Sequence, residues 1–229
     1  MKRTMPTKVY ELYELLLARY GDLHWWPAKT PYEVMVGAVL TQNTAWTNVE
    51  KAIANFGDRL SPAYVADLDI PKLVEIIRPS GFFNQKAVYL KAVTAWFAKY
   101  DYDVTSVRQE PLEKLRTELL ATKGVGRETA DSILLYSFGF ATFVVDAYTV
   151  RLCGRYPIIA EKRHGSRSMI TTSLGYEAIK AHFEESLPCS AEVYNNLHAM
   201  IVINAKNYCR KNPLCDNCPL RKHCGRIRI

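Results

Sequence analysis

The sequence predicts an all-α chain, and three observations lead there. Apolar residues recur at helical spacing through most of the 229 residues. Proline and glycine stand where helices should start and stop. Only Phe143-Val144-Val145 reads as a strand, and it is too short to imply a sheet.

The elements follow in order. Val9, Leu12, Leu15 and Leu16 mark a first amphipathic helix, which Gly21 ends. Pro31 opens a second, with Val34, Met35, Ala38 and Val39 on its apolar side. Helical spacing continues over 46–56, 62–67, 71–77, 84–99 and 111–121. Ser61-Pro62 and Pro71 after Asp69-Ile70 are start signals; Gly81 and Gly124 are stop signals. A helix over 127–137 is broken at Gly139, and others fit 147–154, 167–185 and 190–208. There is no internal repeat, low-complexity tract or long linker.

Composition narrows the class. An apolar share of 48% excludes a mainly disordered chain. No stretch approaches the roughly 18 apolar residues of a membrane span. The basic start Met1-Lys2-Arg3-Thr4 is followed by Tyr10-Glu11-Leu12-Tyr13-Glu14, not by a signal-peptide core. The chain therefore reads as soluble and intracellular. A net charge of +7 favours a polyanionic partner, nucleic acid first, against a merely basic surface.

Four of the six cysteines crowd the last 21 residues, spaced C-x5-C-x2-C-x5-C: Cys209, Cys215, Cys218 and Cys224. Four thiolates this close should bind a metal or cluster. A zinc ribbon uses two close pairs, whereas only Cys215 and Cys218 form one here. The shape suits a [4Fe-4S] cubane with one cysteine per iron; zinc is the alternative. Lys206, Arg210, Lys211, Arg221, Lys222, Arg226 and Arg228 surround the site. They could meet phosphate or balance the cluster's negative charge.

Thr122-Lys123-Gly124-Val125-Gly126-Arg127 lies between two expected helices. Both glycines permit positive φ and clear the way for backbone N–H groups to face a phosphate. Val125 can plug the space between the helices. Val144-Val145-Asp146-Ala147 follows downstream, where Asp146 could also cap a helix.

Hairpin, downstream Val-Asp and four-cysteine tail, in this order, resemble the helix-hairpin-helix DNA glycosylases of the endonuclease III type, over about residues 25–224. The tail departs slightly, with five residues between its first two cysteines where the family usually has six. The resemblance implies two helical domains flanking a cleft: 24–140, a six-helix bundle with the helix-hairpin-helix at about 113–137, and 1–23 plus 141–229 carrying an iron-sulfur loop. It implies that a monomer binds double-stranded DNA, in the cytoplasm at the nucleoid, and flips a damaged base out of the stack. Gly124, Val125, Gly126 and Arg127 would hold the DNA, and Asp146 would be the catalytic carboxylate. Bifunctional members carry a lysine nucleophile two residues past the second glycine. Here that position is Glu128, so base removal without β-lyase chemistry is expected; Glu128 could also be a first-turn acid favoured by the helix dipole.

Three segments bear on the base: His24-Trp25-Trp26-Pro27, Thr41-Gln42-Asn43-Thr44-Ala45-Trp46 and Arg78-Pro79-Ser80-Gly81-Phe82. Together they resemble the 3-methyladenine DNA glycosylase branch, although not all members of that branch carry the cysteine tail. A 3-alkylated purine is cationic and leaves easily, so electron-rich rings could recognise it. Trp25, Trp26, Pro27 and Trp46 are the expected pocket, against ordinary core tryptophans. Gln42 is the expected wedge, against a helix-end cap. Lys206 matches a pocket-side position, against a phosphate contact or a solvated lysine. Rival readings are a glycosylase for another base, such as thymine, uracil or an oxidised pyrimidine, a non-catalytic DNA-binding module, and a zinc-dependent regulator.

Overall fold

The computed structural model describes residues 7–23, 25–26, 28–158 and 175–224, and it is helical throughout, with no strand among them. The chain divides into two compact units: Met1–Trp25 with Ala141–Ile229, and Trp26–Phe140.

In the unit Trp26–Phe140 the helices are α2 (Pro31–Leu40), α3 (Trp46–Ala54), α4 (Pro62–Asp67), α5 (Ile70–Ile77), α6 (Phe83–Ala98), α7 (Val104–Arg108), α8 (Leu112–Ala121) and α9 (Arg127–Ser132). Their starts are chemical. Thr30, Ser61 and Asp69 each accept a hydrogen bond from the amide three residues on, and each is followed within two residues by proline. This satisfies a backbone donor that the first helical turn leaves without a partner. Every residue from Val34 to Leu40 is buried, so α2 is apolar all round and runs through the core. Its Met35 and Val39 share one core with Val49, Phe56, Leu73, Leu90, Trp96, Leu115, Ile133 and Phe138. Each such side chain contributes about 1.5–3 kcal/mol relative to exposure. Trp96 donates its indole N–H to Glu118, whose same oxygen accepts from Tyr100.

One ion pair locks α8 to α9. Arg116 donates Nε to one oxygen of Asp131 at 2.8 Å and Nη2 to the other at 3.1 Å. The Asp131 side chain is 0% exposed. A guanidinium fork matches a carboxylate in this geometry, and removing Arg116 would take both bonds from a buried charge.

In the other unit, α1 is Lys8–Tyr20, α10 Ala147–Cys153, α11 Tyr176–Ser186 and α12 Ala191–Asn207. α12 is the centre, buried at Tyr194, Leu197, Met200 and Ile201, with α1 and α10 packed on it. The N-terminal segment is stitched to it: Tyr20 donates its hydroxyl to Asn204, and the Leu23 amide donates to the Asn196 side chain.

Phe143-Val144-Val145 is buried and belongs to no helix or strand among the described residues. Its amides are satisfied by side chains instead: Phe143 N–H donates to Glu184, and Val145 N–H to the Tyr176 hydroxyl.

Some expected boundaries hold and others move: α5 and α8 end where expected, at Ile77 and Ala121. The chain over 127–137 is α-helical only to Ser132, and Ile133–Ser137 is a π-helical turn. α8 stops at Ala121, capped by Thr122, so Gly124 turns the chain after the helix has ended. α5 stops at Ile77 and a 3₁₀ turn carries the chain to Gly81. α7 was not anticipated; Asp103 nucleates it by accepting from the Thr105 and Ser106 amides. Of the helix expected over 167–185, residues 167–174 lie outside the described residues, and the described helix starts at Tyr176. Among the described residues no helix is long and apolar enough to cross a membrane.

Candidate functional site

The hairpin depends on one glycine rather than two. Gly124 has φ +82°, and a Cβ there would collide with the Tyr89 ring. Both facts demand glycine. Gly126, expected to need the same freedom, is extended at φ −90° and ψ 177°, with open space where a Cβ would go. It is the N-cap of α9, and Arg127 and Glu128 begin that helix, both exposed. Val125 is buried in the core, and its amide closes the turn onto Thr122 O at 3.1 Å. Gln42 reaches this hairpin: its Nε2 donates to Gly124 O and to Thr129 Oγ1, each at 3.0 Å. The cap of α2 is Thr41, not Gln42.

The Gln42 loop is held from behind. Lys86 is buried and donates its ammonium to Leu40 O at 2.9 Å and to Ser80 O at 2.7 Å. Burial pushes its ammonium down to about 8. The lysine thus joins the end of α2 to the 3₁₀ turn Arg78–Ser80. Just beyond, Phe82 has φ +48° and is 63% exposed. A large apolar side chain on left-handed backbone and in solvent is costly.

Three rings gather in the same unit. Trp26 meets Trp46 edge-on, with centroids 5.2 Å apart, and meets Tyr136 at 4.9 Å. Gly37 of α2 lies against them; a Cβ there would come within 3.3 Å of Trp46 and 3.4 Å of Trp26. All three rings are half-buried. Tyr136 was not anticipated, since it sits on the π turn, where helical spacing gives the wrong direction. Trp25 is half-buried and belongs to the other unit, whereas His24 and Pro27 lie outside the described residues.

Asp146 caps α10. One carboxylate oxygen, Oδ1, accepts from the Thr149 amide at 2.7 Å and the Thr149 hydroxyl at 2.9 Å. The other, Oδ2, faces His198 Nε2 at 3.6 Å. The side chain is 12% exposed. Burial alone would raise its carboxyl pKa, but the imidazole of His198 and the two Thr149 donors outweigh burial, and the carboxyl sits below its ordinary value. Asp146 is therefore an anion over the physiological range, with one oxygen committed to the cap and one turned elsewhere. His198, 52 residues away, was invisible to local motif reading.

Cys209, Cys215, Cys218 and Cys224 line one recess with Leu152, Arg155, Asn204 and Tyr208. Arg155 donates to Cys209 Sγ at 3.4 Å and to Arg210 O at 2.6 Å, and Arg151 donates to Cys209 O at 2.7 Å. One guanidinium, that of Arg155, thus donates to a thiol of the recess, a contact suited to an anionic thiolate, whereas Arg151 holds the Cys209 carbonyl. No three His, Cys, Asp or Glu side chains among the described residues sit as the ligand set of a single ion. Burial raises the Cys218 thiol, with Cys209 and Cys224 adding to it against the Leu220 amide and Asn204. Cys153 stands apart, its thiol pushed up to about 12 by burial. Lys206 is exposed near the end of α12; Arg226 and Arg228 lie outside the described residues.

Known proteins share this arrangement. The profile of the HhH-GPD superfamily base excision DNA repair proteins matches residues 36–174, more than half of the chain. A protein of Methanocaldococcus jannaschii named "Putative DNA repair glycosylase MJ1434" is 45% identical over 228 residues, covering 98% of this chain and 99% of that one. The H. pylori 3-methyladenine DNA glycosylase MagIII, solved with 1,N6-ethenoadenine, superposes with TM-score 0.69 at 28% identity, covering 88% of this chain and 98% of that one. An endonuclease III–DNA covalent intermediate superposes with TM-score 0.76 at 21% identity, covering 96% and 97%. This chain belongs to the HhH-GPD superfamily and is a base-excision-repair DNA glycosylase.

Proposed function

We propose that the chain is a monofunctional glycosylase that releases cationic alkylated purines, such as 3-methyladenine, from double-stranded DNA. The observation that carries this reading is the group of three rings, Trp26, Trp46 and Tyr136, against Gly37. Electron-rich faces attract a cation, by about 0.5–2 kcal/mol per good contact. The likeness to MagIII supports the same choice. Trp25 and Pro27, by the Trp-Trp-Pro element, and Lys206, by its place before the cysteines, are proposed for base recognition on the sequence resemblance alone.

The chemistry asks little of the protein. The C1′–N bond breaks, its electron pair leaves on the base, and positive charge builds on the sugar. Asp146, anionic at Oδ2, stabilises that charge or takes the proton of the attacking water. Glu128 cannot form an imine, which supports hydrolysis by water rather than a Schiff base. On the DNA side, Gly124, Val125, Gly126 and Arg127 form the phosphate-gripping turn. Gln42 fills the gap left by the flipped base, a role that requires it to release its hydrogen bonds to Gly124 and Thr129. Phe82, exposed at its loop tip, has the character of an apolar wedge.

The four cysteines are proposed ligands of a [4Fe-4S] cluster, and Arg155 fits an anionic cofactor. Such a cluster, when bound, would tie the end of α12 to the loop that follows it. Protein purified without air should carry about four irons and four sulfides per chain by this reading; one zinc and no sulfide would replace it with the zinc alternative.

A panel of duplexes, each with one lesion, tests the substrate. Release of 3-methyladenine without uracil or oxidised pyrimidine is expected; the reverse pattern overturns the choice of base. Borohydride should trap no covalent enzyme–DNA adduct.

A further inference from the structure

We infer that His198 is the positioning residue for Asp146, aiming the carboxylate oxygen that does the chemistry; this rests on the catalytic reading of Asp146 given above. Asp146 has two oxygens with unequal duties. Oδ1 already accepts two hydrogen bonds from Thr149 and serves the helix cap. Rotation of the carboxylate about its Cβ–Cγ bond would break both. Oδ2 is consequently the oxygen with lone pairs available to a sugar cation or a water. What faces Oδ2 is the imidazole of His198, its Nε2 3.6 Å away.

The imidazole is itself held. His198 is 6% exposed on the buried face of α12, beside Leu197 and Ile201. Its ring stands edge-on to Phe143, centroids 6.3 Å apart at 84°. Phe143 in turn stacks on Phe183, 4.4 Å away and nearly parallel. Phe143 and Asp146 lie three residues apart just before α10, so one short segment supplies both the ring that stands against His198 and the carboxylate that His198 faces. A spacing of 3.6 Å is looser than a hydrogen bond. The contact biases the carboxylate electrostatically while leaving Oδ2 free to engage the reaction centre. The lowered carboxyl pKa of Asp146 agrees with that direction.

The test compares His198→Leu, His198→Gln and Asp146→Asn in the full-length protein. Glutamine keeps an N–H donor at similar reach; leucine fills the space without one. Three quantities are read: the single-turnover rate of base release, the Kd for a duplex with a non-cleavable abasic analogue, and the melting temperature. Leucine should slow release by about 100-fold, the scale of a misplaced reactive group, with Kd and melting within about twofold and a few degrees of the parent. Glutamine should restore most of the rate. Combining His198→Leu with Asp146→Asn should cost no more than Asp146→Asn alone, because the two act as one unit. In the free protein, the carboxyl carbon resonance of Asp146, assigned by its loss in Asp146→Asn, should move in the leucine variant and return in the glutamine variant. An unchanged rate in His198→Leu, with Asp146→Asn inactive, overturns this inference alone. Equal losses in both His198 variants with lowered melting make His198 merely structural. Full activity in Asp146→Asn overturns the catalytic reading itself.

Discussion

The hairpin and the Asp146 cap are both turns that lead into a helix, and they are built in opposite ways. The hairpin is a backbone device. Gly124 is required because its φ is positive and because a side chain would collide with Tyr89. The Asp146 site is a side-chain device in ordinary extended backbone, at φ −104° and ψ 179°. Its specificity lies in which oxygen bonds to what. Sterics bar almost any side chain at Gly124. The second should tolerate an isosteric change structurally and yet lose its chemistry. A grip on a uniform phosphate backbone needs fixed shape, whereas glycosidic cleavage needs a fixed charge.

Substitutions can break that comparison. The largest effect is expected at the ion pair behind the hairpin. Arg116→Ala takes both guanidinium hydrogen bonds from the fully buried Asp131 carboxylate and should cost about 3–5 kcal/mol in denaturant unfolding. Gly124→Ala comes next, at about 3 kcal/mol, since it adds left-handed strain to an overpacked contact. Adding Tyr89→Ala to it should recover the packing part and leave the strain. Asp146→Ala removes a cap and should cost about 1 kcal/mol in thermal or denaturant melts. Gly126→Ala is the smallest, within about 0.5 kcal/mol, because its conformation is ordinary and its surroundings open. If Gly126→Ala destabilised the fold as much as Gly124→Ala, the asymmetry of the hairpin would be wrong.

The pH dependence sharpens the other side. The carboxyl pKa of Asp146 is lowered in the folded protein. A lowered folded pKa contributes stability that is fully present above the unfolded value, about 3.9, and is lost as pH falls through the folded value. The acid loss of base release should accordingly fall below pH about 4. Unfolding by acid should shift less in Asp146→Asn, which lacks that titration, when both are followed by melting temperature against pH.

The same division explains what could be read from the sequence. Helices with a chemical start were legible: Thr30-Pro31, Ser61-Pro62 and Asp69 each announce themselves locally. So was the hairpin, not from Gly124-Val125-Gly126 alone, which could be a plain tight turn, but from its place between two helical runs and ahead of Val145-Asp146. α7 was not, since five residues give no period and the Asp103 cap alone starts it. The π turn was not, because one extra residue per turn leaves composition unchanged while rotating Tyr136 onto Trp26. Gly126 was misread because identical residue types hid different φ values. Phe143-Val144-Val145 looked like a strand because a buried apolar run has strand composition; that Glu184 and Tyr176 would take its amides depends on tertiary placement. Arg155 beside Cys209 and His198 beside Asp146 join residues 54 and 52 apart, beyond any local motif.

Asp146→Asn tests the central claim most directly, because asparagine is as good an N-cap as aspartate and carries no charge. Melting temperature and single-turnover release of 3-methyladenine should be measured on the same preparation. A melting temperature held within a few degrees, with release slowed by about 100-fold or more, is the predicted result. Release at the parent rate from the well-folded variant would contradict the account.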